Sequence, residues 1–282
     1  LAPSLLKREG KIKHLLFRVH GHDIYNDRNR GYIPFREFCY KYTDAVITIS
    51  RHGLNYLHEN YPAFSEKYHC EYLGVEDRGL NPQPVKGPFV IFSCSSLIPL
   101  KRVHLIAETL SLVRSEVRWI HIGDGPEKDR VKKVVANLPS NVLTEFPGHM
   151  SNQEPMALYK KETGDIFLHL SSAEGLPVSI MEAISFGIPV IATDVGGVSE
   201  IVNTQTGILL DADPDINELA ALIDNLALRT GTAFDRNAAR QFWQNNFDAN
   251  RNYNHFVQTY FTTPESRQID VNLTGFYNDK PR

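Results

Sequence analysis

Two carboxylates, Glu174 and Glu182, stand eight positions apart in the stretch 170–202, LSSAEGLPVSIMEAISFGIPVIATDVGGVSEIV. An apolar strand ends at Leu170, the polar loop Glu174-Gly175-Leu176-Pro177 follows, and helix-forming residues resume at Val178. This order puts a carboxylate and a glycine between the carboxyl end of a strand and the start of a helix, where parallel sheets bind ligands and open backbone amides suit a phosphate. Glu182, one or two turns along the same helix, reaches the same cleft. Carboxylates accept from paired hydroxyls, so two of them beside a phosphate site suit a sugar and a ribose. The plainer alternative makes Glu174 a first-turn charge that complements the helix dipole and Glu182 a solvated helix residue.

Four further segments carry polar groups to strand ends. Ser95-Ser96-Leu97-Ile98-Pro99-Leu100-Lys101-Arg102 follows the strand Phe89–Cys94 and aims cations beyond it, unless Lys101 and Arg102 are only a surface pair. Ile120-His121-Ile122-Gly123-Asp124-Gly125-Pro126 runs from a strand into a glycine turn, a weak signal alone because such turns are common. Gly148, His149 and Met150 follow the strand Val142–Phe146. Near the start, Val19-His20-Gly21-His22-Asp23 ends another apolar run. His20 is nearest the strand end, and His22 and Asp23 could orient it; a strand-end histidine is as often structural.

Short apolar runs alternate with amphipathic stretches along the chain, the pattern of parallel strands joined by crossover helices, so the class is α/β. Strands are expected at 15–19, 45–49, 69–73, 89–94, 118–122, 142–146, 165–170, 189–192 and 207–210. Val103, Ile106, Ala107, Leu110 and Val113 form one helical stripe; Asp213-Pro214 signals the start of another helix, carrying Ile216, Leu219, Ile223 and Leu226. Ser50 reads as a helix cap. Asn81, Pro82, Pro84, Gly87 and Pro88 break the periodicity and mark a domain linker. The expected organisation is a partial domain over 1–80, a complete Rossmann-like domain over 88–262 and a polar tail over 263–282.

With 282 residues, 42% of them hydrophobic, the chain can bury one large or two modest cores. A net charge of -3 gives no global pull toward nucleic acid, so any anion site must be local. Cys39, Cys70 and Cys94 are odd in number and widely spaced, which fits a reducing, cytoplasmic setting better than a disulfide framework. No apolar run reaches membrane-spanning length. The basic cluster Lys7, Arg8, Lys11 and Lys13, with leucines nearby, could make peripheral contact with an anionic membrane face; a solvated helix face is the simpler reading. The sequon Asn272-Leu273-Thr274 is a chance match.

The spacing of Glu174 and Glu182, the neighbourhood EGLPVSIMEA and the later Gly196-Gly197-x-x-Glu200 resemble family 4 of the retaining glycosyltransferases, enzymes of the two-domain GT-B fold with an E-x7-E signature. The resemblance covers about 18–201 and continues loosely to 256. It implies transfer of a sugar from a nucleotide diphosphate sugar to the hydroxyl of a carbohydrate or lipid-linked acceptor, with retention and without a metal or cofactor, in surface polysaccharide or lipopolysaccharide assembly. By that resemblance Glu174 contacts the donor sugar, Glu182 the ribose and His20 the reaction centre. Gly175, Leu176, Pro177 and Val178 offer backbone to the donor, Gly123 borders the nucleotide, and Gly148, His149 and Met150 flank the base. Lys101 takes the Lys position of the family's R-L-x-x-x-K diphosphate clamp, but Ser96 stands where the Arg is usual, which throws more charge onto Lys101 and neighbouring Arg102. A glycine-rich strand-turn-helix expected ahead of Leu15 is not seen, which suggests an N-terminally truncated chain. Rival readings are a non-catalytic nucleotide-sugar-binding protein and a nucleotide-sugar epimerase; a dinucleotide oxidoreductase lacks its G-x-G-x-x-G.

Overall fold

The computed structural model describes residues 1–84, 86–151, 153–229 and 234–262. The expected tail over 263–282 and its Asn272 sequon lie outside the described residues. The chain begins α1 (Ala2–Arg8), β1 (Leu16–Val19), α2 (Gly21–Ile24), α3 (Arg36–Lys41), β2 (Ala45–Thr48), α4 (Arg51–Asn60) and β3 (Tyr68–Cys70). It continues β4 (Phe89–Cys94), α5 (Val103–Leu110), β5 (Val117–Ile122), α6 (Lys128–Val135), β6 (Val142–Gly148), α7 (Glu154–Lys161) and β7 (Ile166–His169). The last elements are α8 (Val178–Ser185), β8 (Val190–Thr193), β9 (Gly207–Leu210), α9 (Ile216–Ala227), α10 (Arg236–Asn246) and α11 (Ala249–Phe261).

Each expected strand is present, in two parallel sheets. The first has the order β1-β2-β3 and the second β6-β5-β4-β7-β8-β9. In the second sheet the chain winds outward one way from β4, then returns past it to begin again at β7. This reversal is the Rossmann switch point, and it opens a crevice between the carboxyl ends of β4 and β7.

The strands are apolar on both faces because helices cover both. Phe92, Ile120, Phe167 and Val190 pack with Ile180, Ile184 and Trp243 on one face. Their neighbours in sequence, Ile91, Trp119, Leu168 and Ile191, pack with Ile106, Leu110, Leu219 and Ile223 on the other. The first sheet has its own cluster of Val19, Ile24, Val46, Leu57 and Tyr68. None of the described helices is long and apolar enough to cross a membrane.

One local expectation is corrected. The cap of α9 is Asp215, whose side chain accepts from Asn217 N, so the helix starts after Asp215 rather than at Asp213-Pro214. The segment before β4 is anchored: Asn81 is 4% exposed, donates to the carbonyls of Tyr159 and Glu162, and accepts from Gly164 N and Arg236. Asn81 thereby ties the approach to β4 to the helices behind the sheet.

The two halves are joined at several points. The carboxylate of Glu200 accepts from the first amides of α4, Arg51 N at 2.8 Å and His52 N at 2.9 Å, and from the Tyr72 hydroxyl at 2.8 Å. An anion at a helix start is favourable for both hydrogen bonding and the dipole. Helix α11 crosses back: Phe256 lies 4.7 Å from the Arg18 guanidinium, and Asn252 donates to Leu73 O.

Candidate functional site

Glu174 follows β7 and Lys101 follows β4, so the switch point brings them together from opposite sides of the crevice. Lys101 Nζ lies 2.6 Å from Glu174 Oε1, and His169 Nε2, at the end of β7, donates to the same oxygen at 2.7 Å. Ser171 Oγ is 2.9 Å from that ring nitrogen. Glu174 is 7% exposed. Burial alone would raise its carboxyl, but the hydrogen bond and charge of His169, followed by those of Lys101, overcome that and hold it at about 2, against 4.5 ordinarily. The carboxylate is therefore ionised at any physiological pH.

Glu182 stands half-buried in the second turn of α8. Between β4 and α8, the Cys94 thiol is pushed up to about 12, first by burial, then by the negative charge of Glu182, while Tyr159 and the positive charge of Lys101 oppose it. One thiol thus feels both charges, Glu182 from α8 and Lys101 from the loop after β4. Leu176 is buried in the core, and Pro177 caps α8 without a side-chain hydrogen bond, so the amides at the head of α8 open beside Glu174.

Close backbone approach shapes the walls. Gly196 has φ +58°, and a Cβ there would stand 2.0 Å from Glu174 O. Its neighbour Gly197 donates to Gly175 O at 2.9 Å, locking the turn that carries Glu174. On the other wall a Cβ on Gly123 would meet Ser95 O at 1.9 Å, so only glycine lets this turn press against the loop leading to Lys101. Gly148 O accepts from Gly123 N, which brings the Gly148 turn alongside; beyond it His149 is exposed and Met150 packs on the core. Ser96 is exposed on its loop.

Arg102 does not join the cluster, which corrects the expectation that it shares the charge of Lys101. Its backbone adopts φ +46°, and the side chain turns under the loop. There it donates to the carbonyls of Leu170, Ser171 and Ala212 and reaches Asp213. Arg102 is a structural tie between the β7 and β9 loops.

From the first sheet, His20 stands exposed at the end of β1. Asp23 accepts from the His20 backbone amide at 2.9 Å, and the His20 side chain in turn accepts from the Asp23 backbone amide, a reciprocal capping box that ties the imidazole to the turn. Gly21 brings this turn against the Glu174 loop: a Cβ on Gly175 would lie 3.5 Å from Gly21 N. His20 therefore sits at the lip of the crevice. Ser50 caps α4 by accepting from Gly53 N.

Sequence reasoning missed His169 and the role of Glu200. A lone polar residue inside the apolar run 166–170 was the available signal for His169. Glu200 was visible only as the end of the Gly196-Gly197 motif.

Among solved structures, Anabaena HepE in complex with UDP superposes with a TM-score of 0.74 at 21% identity, covering 91% of this chain and 74% of that one. The architecture is the GT-B one expected from the sequence, with Rossmann-like parallel sheets. In sequence, WcaL of Escherichia coli K12, provisionally named a colanic acid biosynthesis glycosyltransferase, is 29% identical over 55% of this chain and 41% of its own length. A GDP-mannose-dependent alpha-mannosyltransferase of Mycolicibacterium smegmatis is 30% identical over 52% of this chain and 38% of its own length. The chain thus matches about two-fifths of the length of these curated relatives. The family described as glycosyl transferases group 1 matches residues 80–241, more than half of the chain, and the chain belongs to that family.

Proposed function

We propose that the crevice binds a nucleoside diphosphate sugar and that the protein transfers the sugar, with its anomeric configuration retained, to an acceptor hydroxyl. The observation that carries this reading is the contact of Lys101 with Glu174 at the switch point, with Glu182 on the helix that leads out of the Glu174 loop. Glu174 and Glu182 are the E-x7-E pair of family 4: Glu174 accepts from the donor sugar hydroxyls, Glu182 from the ribose. An ammonium has three donors, so Lys101 can hold Glu174 with one and a phosphate oxygen with another. Residues 88–262 form the donor-binding domain and residues 1–80 the acceptor side, with His20 at the reaction centre.

No protein nucleophile is required. As the bond from the anomeric carbon to the departing phosphate oxygen breaks, the acceptor oxygen bonds to the same face, and that phosphate oxygen takes the acceptor proton. The charge developing on the leaving diphosphate is stabilised by Lys101 and the amides heading α8. The relatives' printed names, which speak of colanic acid and teichuronic acid biosynthesis, support a setting in surface polysaccharide assembly; the acceptor in this reading is a carbohydrate or lipid-linked hydroxyl.

A thermal-shift panel of UDP-, GDP- and ADP-sugars against the wild type and Glu182→Ala tests this. One nucleotide class raises the wild-type Tm, and the variant loses most of the rise. Equal responses would remove Glu182 from the ribose role; no response from the wild type to any of them would remove the donor site.

A further inference from the structure

We infer that Arg28, from the opposite half of the molecule, supplies the second cation that binds the diphosphate in this crevice. The inference rests on the donor-site reading above and deepens it. A diphosphate presents at least two negative charges, whereas Lys101, the ammonium placed at the crevice among the described residues, is already paired with Glu174. Ser96 brings no charge, and Arg102 is bound to carbonyls beneath the loop.

Arg28 lies in the 3-10 turn Asp27–Asn29 of the first half. Its guanidinium is stacked over the Tyr25 ring, 5.2 Å from the centroid, and makes no hydrogen bond or ion pair among the described residues. Stacking leaves the N–H edges of the fork exposed for a bidentate acceptor. A half-buried guanidinium with five donors and no acceptor is an unmet demand, and phosphate oxygens match its geometry.

The position is equally specific. The point where Gly21 would carry a Cβ lies 2.4 Å from Arg28 Nη1 and 3.7 Å from Gly175 Cα. The cation and the Glu174–Gly175 turn thus flank one point, beside the loop that leads into α8. Gly21 leaves room for the guanidinium there. The platform is held in place: Tyr25 is buried, its hydroxyl lies 2.7 Å from His52 Nδ1, and Asn29 donates to Tyr25 O at 3.1 Å. His52 N in turn binds Glu200, so the Tyr25 platform is tied to the donor half.

Calorimetric titration of UDP, GDP and ADP, each beside its monophosphate, against the wild type, Arg28→Ala and Arg28→Lys tests the assignment. Arg28→Ala is expected to weaken the preferred diphosphate by about tenfold or more, the scale of a charge-assisted hydrogen bond, and its monophosphate by less than about twofold. Arg28→Lys recovers only part of the loss, because the planar fork is gone. Matching far-ultraviolet spectra and Tm values guard against a folding effect. Wild-type diphosphate affinity in Arg28→Ala overturns the inference. Failure of the wild type to bind any of the six nucleotides instead removes the donor site itself.

Discussion

Replacing Glu174 by Gln keeps the shape of the side chain and deletes the charge at the centre of the crevice. A carboxyl that ordinarily titrates at 4.5 and is held at about 2 in the folded chain stabilises that chain when ionised. Because the folded value is the lower one, the contribution is fully present above the unfolded value and is lost as pH falls through the folded one. Linkage puts it at about 3 kcal/mol at pH 7 and about half that at pH 3. Urea unfolding of wild type and Glu174→Gln across this range is therefore expected to show the stability gap narrowing by about 2 kcal/mol toward pH 3. Glu174 is nearly buried, so solvent screening discounts little of this. A gap that stays constant with pH would mean that Lys101 and His169 do not hold the ionised form, and the electrostatics derived for the crevice would be wrong.

Gly196→Ala forces a side chain onto a left-handed backbone and against Glu174 O; a loss on the order of 2 kcal/mol or more in urea, together with loss of nucleotide stabilisation, is expected. Unchanged stability would show that the turn is not locked. Glu200→Ala uncaps α4 and strands the Tyr72 hydroxyl across the two halves, so limited proteolysis should accelerate and unfolding free energy should fall by about 1–3 kcal/mol. Wild-type proteolysis would dismiss the clasp.

Much of this architecture is legible in the residues. The strands are short apolar runs bounded by polar or glycine-rich loops, and β4 and β9 run between the expected residues because such a boundary closes each end. The convergence of Glu174 and Lys101 also follows from sequence order once the sheet is doubly wound, since the loops after β4 and β7 must meet. Side-chain direction is less legible. Lys101 and Arg102 are adjacent cations, and only the backbone turn at Arg102 decides that one faces the crevice while the other ties loops together. His169 has the pattern of an ordinary core residue until Glu174 is seen folding back onto it. Glu200 and Arg28 act across the junction of the two halves, through contacts between segments far apart in the chain, and no local pattern encodes those.

Donor nucleotide is expected to occupy the crevice between β4 and β7. A crystal structure with the nucleoside diphosphate selected by the thermal-shift panel tests it most directly. Phosphate oxygens within hydrogen-bond distance of Lys101 Nζ, with the ribose hydroxyls on the Glu182 carboxylate, are the expected result. A nucleotide bound elsewhere on the molecule, with the Lys101–Glu174 pair and Glu182 untouched, would contradict it.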